Sequence, residues 1–582
     1  MSLSVATSII AASLRTTEVA SAVAAANVAN AGTAGYTRKT VSRQATDTAV
    51  GYATIDIASI TSTVNQFLLK TLVGAQSGLG YSKTMSGYLD QFQQSLGTTS
   101  AGSTLGTAID SLADVLGTLA TSPESASAKS AVLSRLTDMA GTLRETSSQV
   151  QALRGQADSA IATTVDGINT TLTTIGDLND QIVRGKALGQ NTANLEDQRN
   201  EAVKSLSGTI GVRYQVDSNG MMRVSTDSGI ALVDSAVHTL SYKPAASVSA
   251  DTVYSATGPS GFQGIMVGGR DITTSVGSSG KLGALIDLRD TVLPQRQDTL
   301  DNLATTLKDT LNDISNAGTS APPPNSLTGS RTVSGTDALS GSGTLRIAVT
   351  GADGKAVEVL DLDLGAYATV QDAVDAIDAM DNLSASISPE GKLVIRADNA
   401  ANGVALGGDT AVGAAGKGFS AAFGLNDLFT GTGAADLQVN AALAKDSSRL
   451  PTSALSTDAA LAPGDVAVSA GNGKTAQALS DAFTKAAPFG SAGDLPARNA
   501  TFAAYAGNIV QAAAGAADKA STTYDSQKTY ADSLDSTLSS QSGVNVNEEA
   551  AAASQLQSAY QAAAAVMKAL EEMFQSAVSM VS

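Results

Sequence analysis

The sequence predicts a mainly α protein with some β structure. Terminal coiled-coil helices and a helical bundle are built from both chain ends, and a small β unit and an outer α+β domain are inserted. Three observations predict this class. Apolar residues recur at alternating gaps of three and four at both extreme ends of the chain. Long heptad rows fill much of the interior, and two stretches replace that period with alternation and turn residues.

At the N-terminus the row is Val5, Ile9, Ala12, Thr16, Val19, Val23 and Ala26, and in the first 37 residues only Arg15 and Glu18 are charged. At the C-terminus Leu556, Tyr560, Ala563, Met567, Leu570, Phe574, Ala577 and Val581 form one coiled-coil seam. Ala559, Val566, Met573 and Met580 add a second row seven apart. Termini are normally polar and frayed, so apolar faces this wide predict that residues 1–45 and 542–582 pair with each other and with further subunits.

Inside these ends, Ile161, Val165, Ile168, Leu172, Ile175 and Ile182 keep heptad spacing, with Asn179 the one polar seam position. Ile286, Leu293, Leu300, Leu307 and Ile314 are each seven apart, broadened by Leu303 and Leu311, and Pro294 kinks that helix or opens a new one. Ile509, Ala513, Ala516, Ala520, Gln527, Leu534 and Leu538 continue the theme. Residues 46–208, 282–320 and 491–541 are therefore assigned to one discontinuous bundle. From Thr209 to Lys243 the pattern alternates around Ser218-Asn219-Gly220 and Asp227-Ser228-Gly229, giving a small β unit at 209–281. After Pro322-Pro323-Pro324 a Gly/Asp/Ala-rich stretch carries two hairpin signals, Ala352-Asp353-Gly354 and Pro389-Glu390-Gly391. Val370, Val374 and Ile377 mark a short helix between them, so 321–490 is expected to be an inserted outer domain.

Composition excludes several functions. The 582 residues carry a formal charge of −18, the wrong sign for neutralising nucleic-acid phosphates or docking on an anionic membrane. Charged residues are 15 % of the chain, against about 25 % in ordinary soluble domains. Cysteine is absent, which removes disulfides and thiolate metal sites and suits passage through an export channel. A basic leader with an apolar core and cleavage site is not apparent, so no cleaved signal peptide is expected. An uninterrupted run of about 18 apolar residues is also missing, so membrane insertion is not expected.

The search for chemistry finds no catalytic, cofactor or metal site. His238, the single histidine, is read as an ordinary residue of an alternating strand, Ala236 to Leu240, with no motif around it. Asp361 and Asp363 alternate with leucines as on a solvated strand face, and calcium ligands at fixed offsets are missing. The glycines at Gly268-Gly269 and Gly341 to Gly343 lack the Gly-Lys-Ser/Thr of a phosphate loop. Glu548-Glu549 and Glu571-Glu572 read as solvated helix faces or helix N-termini, with Asn547 the expected cap.

The segment from Asn27 to Arg38, with Asn27, Asn30, Thr33, Gly35, Tyr36 and Arg38 at the motif positions, resembles the N-terminal signature of flagellar rod, hook and hook-associated proteins. Val28 and Ala34 stand where that signature usually has Ile and Pro. The runs Ser542 to Ala551 and Gln557 to Val566 resemble the same axial family. Asn194-Leu195-Glu196-Asp197-Gln198-Arg199-Asn200-Glu201 and Gly280-Lys281-Leu282-Gly283-Ala284-Leu285 are similar to hook-associated members within it. This resemblance implies an extracellular structural subunit of the bacterial flagellum, exported by the type III apparatus. It further implies a helical ring of identical copies between hook subunits and the next hook-associated protein, with a cytoplasmic chaperone at the C-terminal helix. Val5, Ile9, Val19, Val23, Leu556, Tyr560, Met567, Leu570, Phe574 and Val581 would then form the assembly seam. The alternatives are a hook subunit or other axial protein and, more distantly, a cell-wall hydrolase carried on a flagellar scaffold.

Overall fold

The computed structural model describes residues 3–47, 53–97 and 105–581. Helix α1 (Leu3–Ala29) opens the chain, and Gly35, at φ +76°, helps turn it back. Strands β1 (Lys39–Asp47) and β2 (Ala53–Ser62) then form an antiparallel hairpin against α1, tied to it by the Arg15–Asp56 pair at 3.4 Å. The hairpin corrects the assignment of residues 1–45 to coiled coil and of the following segment to the bundle. Its signal was hidden by a bulge. Ser42 faces Ser59 and Arg43 faces Ile57, so Ala58 is skipped and the alternation of Ile55, Ile57 and Ile60 is broken.

Four helices follow: α2 (Gln66–Ser95), α3 (Leu105–Thr121), α4 (Ala126–Ala187) and α5 (Ala193–Thr209). Asn65 starts α2 by accepting from the Leu68 N–H at 3.1 Å, and Ser125 starts α4 by accepting from Ala128 at 3.3 Å. With 62 residues α4 is the mast of the molecule, about 93 Å long at 1.5 Å per residue. Its heptad row from Ile161 to Ile182 is buried throughout.

The β unit is two small antiparallel sheets, β3 (Val212–Val216), β4 (Met222–Thr226) and β5 (Ala231–Val233), then β6 (Leu240–Ser241), β7 (Met266–Val267) and β8 (Arg270–Asp271). The polar seam position in α4 docks the first sheet. Asn179 donates to Met222 O at 2.8 Å and accepts from Met222 N at 2.9 Å. Asn169 repeats the arrangement on Leu240 of the second sheet at 2.8 and 2.7 Å. His238 is not within a strand. Its neighbour Val237 makes one bridge to Val233, and its Nε2 lies 3.1 Å from Asp234 Oδ1.

Helix α6 (Gly280–Asp287) passes through a π turn at Leu288–Val292 into α7 (Leu293–Asn316), with Pro294 in its first turn, where a missing N–H costs no helical bond. The π turn accompanies Arg289, fully buried, whose guanidinium reaches Asp158 at 3.1 Å and Asp290 at 2.7 Å and lies 4.5 Å from the Phe262 ring centre.

The inserted module comprises β9 (Ser326–Thr332), β10 (Gly341–Thr350), β11 (Ala356–Asp363), α8 (Val370–Asp378), β12 (Leu383–Ile387), β13 (Lys392–Ala397), β14 (Gly403–Gly407), β15 (Thr410–Val412) and α9 (Phe419–Phe423). One sheet runs β11-β10-β14 with β15 also on β10, and the other runs β12-β13-β9. They share a core of their own with α8, including Ile347, Val374, Ile377, Leu393, Ile395 and Phe419.

That core ends at Leu425, and the rest of the outer domain expected over 321–490 is divided: Leu455, Ala467 and Val468 pack on the module's Ala348, Ala356 and Ala405, and other residues join the helical body. Strands β16 (Phe429–Thr430) and β17 (Gln438–Val439), α10 (Ala441–Lys445), α11 (Lys474–Thr484), and the hairpin β18 (Ala487–Phe489) and β19 (Arg498–Ala500) follow. Phe429, Leu437, Leu479, Phe483 and Phe489 from these pieces belong to the core of the helical body. Short elements without a heptad can still fill a bundle flank, and periodicity alone cannot see them.

The long helices α12 (Phe502–Ser542) and α13 (Val546–Val581) close the chain. α12 lies antiparallel to α2, with Leu89 clustered with Ala517 and Ala520 and the Gly78 position meeting Gln527. α13 packs on α1. By length and composition α1 is long and apolar enough to cross a bilayer, although it holds no uninterrupted apolar run. Interspersed Ser and Thr break the run without lowering the average hydropathy enough to matter, and Thr16, Thr17 and Asn27 are among its buried residues.

Candidate functional site

The axial-type motif, the start of α13 and the middle of α5 meet in one polar joint. Asn27 is its hub and is 1 % exposed. Its amide donates to Lys39 O and to Glu549 Oε2, both at 3.0 Å, and its carbonyl accepts from Lys39 N and from the Tyr36 hydroxyl, also at 3.0 Å. Every polar site on this amide is used, so burial leaves nothing unpaired.

Four further residues, Thr37, Arg38, Lys39 and Asp197, tie the helix pair to the body. Arg38 donates from Nε to Glu549 Oε1 at 2.6 Å, and its backbone N–H donates to Ser542 O at 2.8 Å. Asp197 accepts from Thr37 N at 2.9 Å and Thr37 Oγ1 at 2.7 Å, and it pairs with the ammonium of Lys39. Lys39 and Asp197 are nearly fully buried, and the Lys39 ammonium lies 4.6 Å from the Tyr36 ring centre. Burial, followed by the negative charges of Asp197 and Glu549, pushes the Tyr36 hydroxyl above its usual pKa.

The local sequence explains how α5 serves two neighbours. Residues two apart on a helix point about 200° apart, so Asp197 and Arg199 leave α5 on opposite sides. Asp197 meets the motif, whereas Arg199 donates to Asn179 Oδ1 at 2.9 Å and Gly220 O at 2.6 Å in the body. Asn30 and Thr33 shape the loop: the Asn30 amide closes α1 onto Ala26 O at 2.9 Å, and Thr33 N donates to Asn30 O at 2.9 Å. Beside the joint a cleft of about 310 Å³ is lined by Tyr36, Leu69, Glu201, Lys204 and Leu538.

Two sequence readings of this region are corrected. Asn545, not Asn547, caps α13, accepting from Asn547 N at 3.1 Å. Glu548 and Glu549 stand in the first turn of α13, the helix N-terminus expected of them, but Glu549 is not solvated; it is 3 % exposed because Asn27 and Arg38 occupy its carboxylate. Lys39, next to the motif, and Asp197, inside a quoted run, are joint residues that spacing alone did not single out. A lysine in a Thr/Ser-rich strand reads as surface until its partner is known.

The seam residues are divided between two environments. Val5, Ile9, Val19 and Val23 on α1, and Leu556, Met567 and Leu570 on α13, are half-buried. Tyr560 and Phe574 are exposed at 45 % and 59 %, and the Val581 side chain lies outside the described part. The second row, Val566, Met573 and Met580, is exposed at 50 %, 57 % and 80 %. Among the described residues no group of three or more His, Cys, Asp or Glu side chains is placed to hold a metal ion.

The family described as flagellar hook-associated protein FlgK helical domain matches residues 89–326, and the flagellar basal body rod FlgEFG protein C-terminal family matches 536–580. The first match contains Asp197 and the second Glu549. Flagellar hook-associated protein 1 of Escherichia coli K12 is 27 % identical over 314 residues, covering 52 % of this chain and 56 % of its own length. The Bacillus subtilis protein of the same name is 26 % identical over 229 residues, covering 37 % and 45 %. The chain thus spans about half the length of the curated relatives it matches. The solved flagellar hook junction protein FlgK of Burkholderia pseudomallei matches with a TM-score of 0.50 and 18 % identity, over 80 % of this chain and 98 % of that one. The chain is thus similar to flagellar hook-associated protein 1 in its helical body and its fold, and to flagellar basal body rod proteins in its C-terminal segment.

Proposed function

We propose that the protein is a structural, non-enzymatic subunit of the bacterial flagellum that joins hook to filament outside the cell. The observation that carries this reading is the paired α1 and α13, whose outer apolar rows nothing else in the described chain covers, held to a rigid body by a buried polar joint. A helix pair with so much exposed Val, Met and Phe gains stability by burying it against identical neighbours. Copies stacked in a helical ring supply such neighbours, with hook subunits on one side and the next hook-associated protein on the other. Export through the type III apparatus with a chaperone on α13 fits the same exposed rows, which need cover before assembly.

The experiment is a Leu570→Asp strain. Leu570 is half-buried on the seam, and an unpaired carboxylate there costs on the order of several kcal/mol per subunit. The expected outcome is hooks without filaments and the substituted protein in the medium. Secreted and retained protein are measured separately, so that an export block is told apart from failed assembly. Normal filaments would refute the assembly role of this face. A strain lacking the protein separates the alternative: missing hooks would point to a hook subunit.

A further inference from the structure

The module of residues 326–425 is joined to the body by two chain passages and carries the later stretch 455–468 on one edge, where Leu455, Ala467 and Val468 pack on Ala348, Ala356 and Ala405; a cleft of about 710 Å³ lies between module and body, lined by Arg346, Gly408 and Lys417 on one side and Asp313, Ala317 and Lys474 on the other. Inserted modules bordered by such a gap swing by default. The last turn of α7 is built against that.

Asn312, Ser315 and Asn316 lie on one helix face and are 3 %, 0 % and 5 % exposed. Asn312 accepts from Leu428 N at 2.8 Å and Phe429 N at 3.0 Å, and donates to Phe429 O at 2.8 Å. Ser315 donates to Asn426 O at 2.6 Å. Asn316 accepts from Asn426 N at 2.9 Å and Ser420 Oγ at 2.8 Å, and donates to Asp427 Oδ1 at 2.6 Å. The exit strand is thus held by five backbone contacts. It is coupled to the module through Ser420 of α9 and through Ser330 of β9, which donates to Asp427. The entry passage is held nearby, where Asn426 Nδ2 donates to Gly318 O at 3.2 Å and the buried Lys129 donates to Ala321 O at 3.1 Å. Across the mouth of the cleft, by contrast, the Lys417–Asp313 pair is partly exposed and open to screening.

We propose that this asparagine clasp is a fixed mount: Asn312 and Asn316 are positioning residues that set the angle of the outer module, and the Lys417–Asp313 pair is dispensable for it. Any swing would strand buried amide, carboxylate and backbone groups together, whereas loosening the ion pair strands nothing. The inference does not depend on the junction reading.

The absence of cysteine permits a direct test. Spin labels at Ser134→Cys in α4 and Asp381→Cys in the module, both exposed, report the angle as a distance distribution by pulsed electron resonance. The expected result is one narrow distribution, unchanged by Asp313→Ala or high salt. In Asn312→Ala/Asn316→Ala it roughly doubles in width, the signature of a released hinge, while circular dichroism stays native. If the double variant does not fold, Asn316→Ser is measured in its place under the same criterion. A width unaffected by the asparagine variant, or broadened by Asp313→Ala, overturns the proposal.

Discussion

At the residue scale the molecule is held by buried polar groups placed where apolar patterning has gaps. Removing Asp197 would leave the Lys39 ammonium buried and unpaired, so Asp197→Ala is expected to cost about 3–5 kcal/mol, read as a lower urea midpoint. Replacing both partners, as in Lys39→Met/Asp197→Leu, should recover most of that loss; equal losses for the single and double variants would show that the pair is not the cause. Three tyrosines make a pH prediction. Burial is the main cause that raises the Tyr214 hydroxyl to about 12 and pushes those of Tyr81 and Tyr242 further up. The folded state therefore keeps these protons where the unfolded chain releases them. Their contribution is full below the unfolded value near 10 and is lost as pH rises toward the folded values. Stability should fall from about pH 10 upward, with tyrosinate absorbance from these residues appearing only with unfolding.

At the element scale, helix α4 substitutes for a strand twice. Asn169 and Asn179 each pair with both backbone groups of one β residue, so a helix with a near-perfect apolar row carries two sheets on its flank. Asn179→Leu keeps the volume but strands Met222 N, Met222 O and Arg199, at about 1–3 kcal/mol for each unsatisfied buried group. The expected result is faster hydrogen exchange at Met222, with Leu240, held by Asn169, unaffected; unchanged protection at Met222 would exclude this docking role. Asn179 was legible as an anomaly in the heptad row, although what it met was not. The β1–β2 hairpin was not legible, because one bulge at Ala58 destroys the only periodicity its sequence contains.

At the scale of the whole molecule there are two large cores, two small clusters and one exposed helix pair. The module core spans Leu327 to Leu425, and the chain after it returns to the body through Phe429, Leu437, Leu479 and Phe483, touching the module again at Leu455, Ala467 and Val468. Replacing 326–425 with a flexible linker should leave the helical body folded, with a cooperative thermal transition near that of the full chain. Removing 321–490 should abolish that transition, because it deletes side chains buried in the body. Identical behaviour of the two deletions would contradict the division at Leu425.

What the sequence determined by itself were the features set by local periodicity: the two terminal helices, the heptad rows of α4 and α7, the hairpin turns at Gly354 and Gly391, and the axial-type motif. Each depends on residues close along the chain, where helix and strand geometry fixes which side chains share a face. Only the tertiary structure decided which charged residues are buried, where the outer module ends and what Asn27, Asn179 and Asn316 bind. Their partners lie far away in sequence: 522 residues separate Asn27 from Glu549. Whether a polar side chain is solvated or satisfied in the core depends on the partner that packing delivers, and no local pattern encodes that.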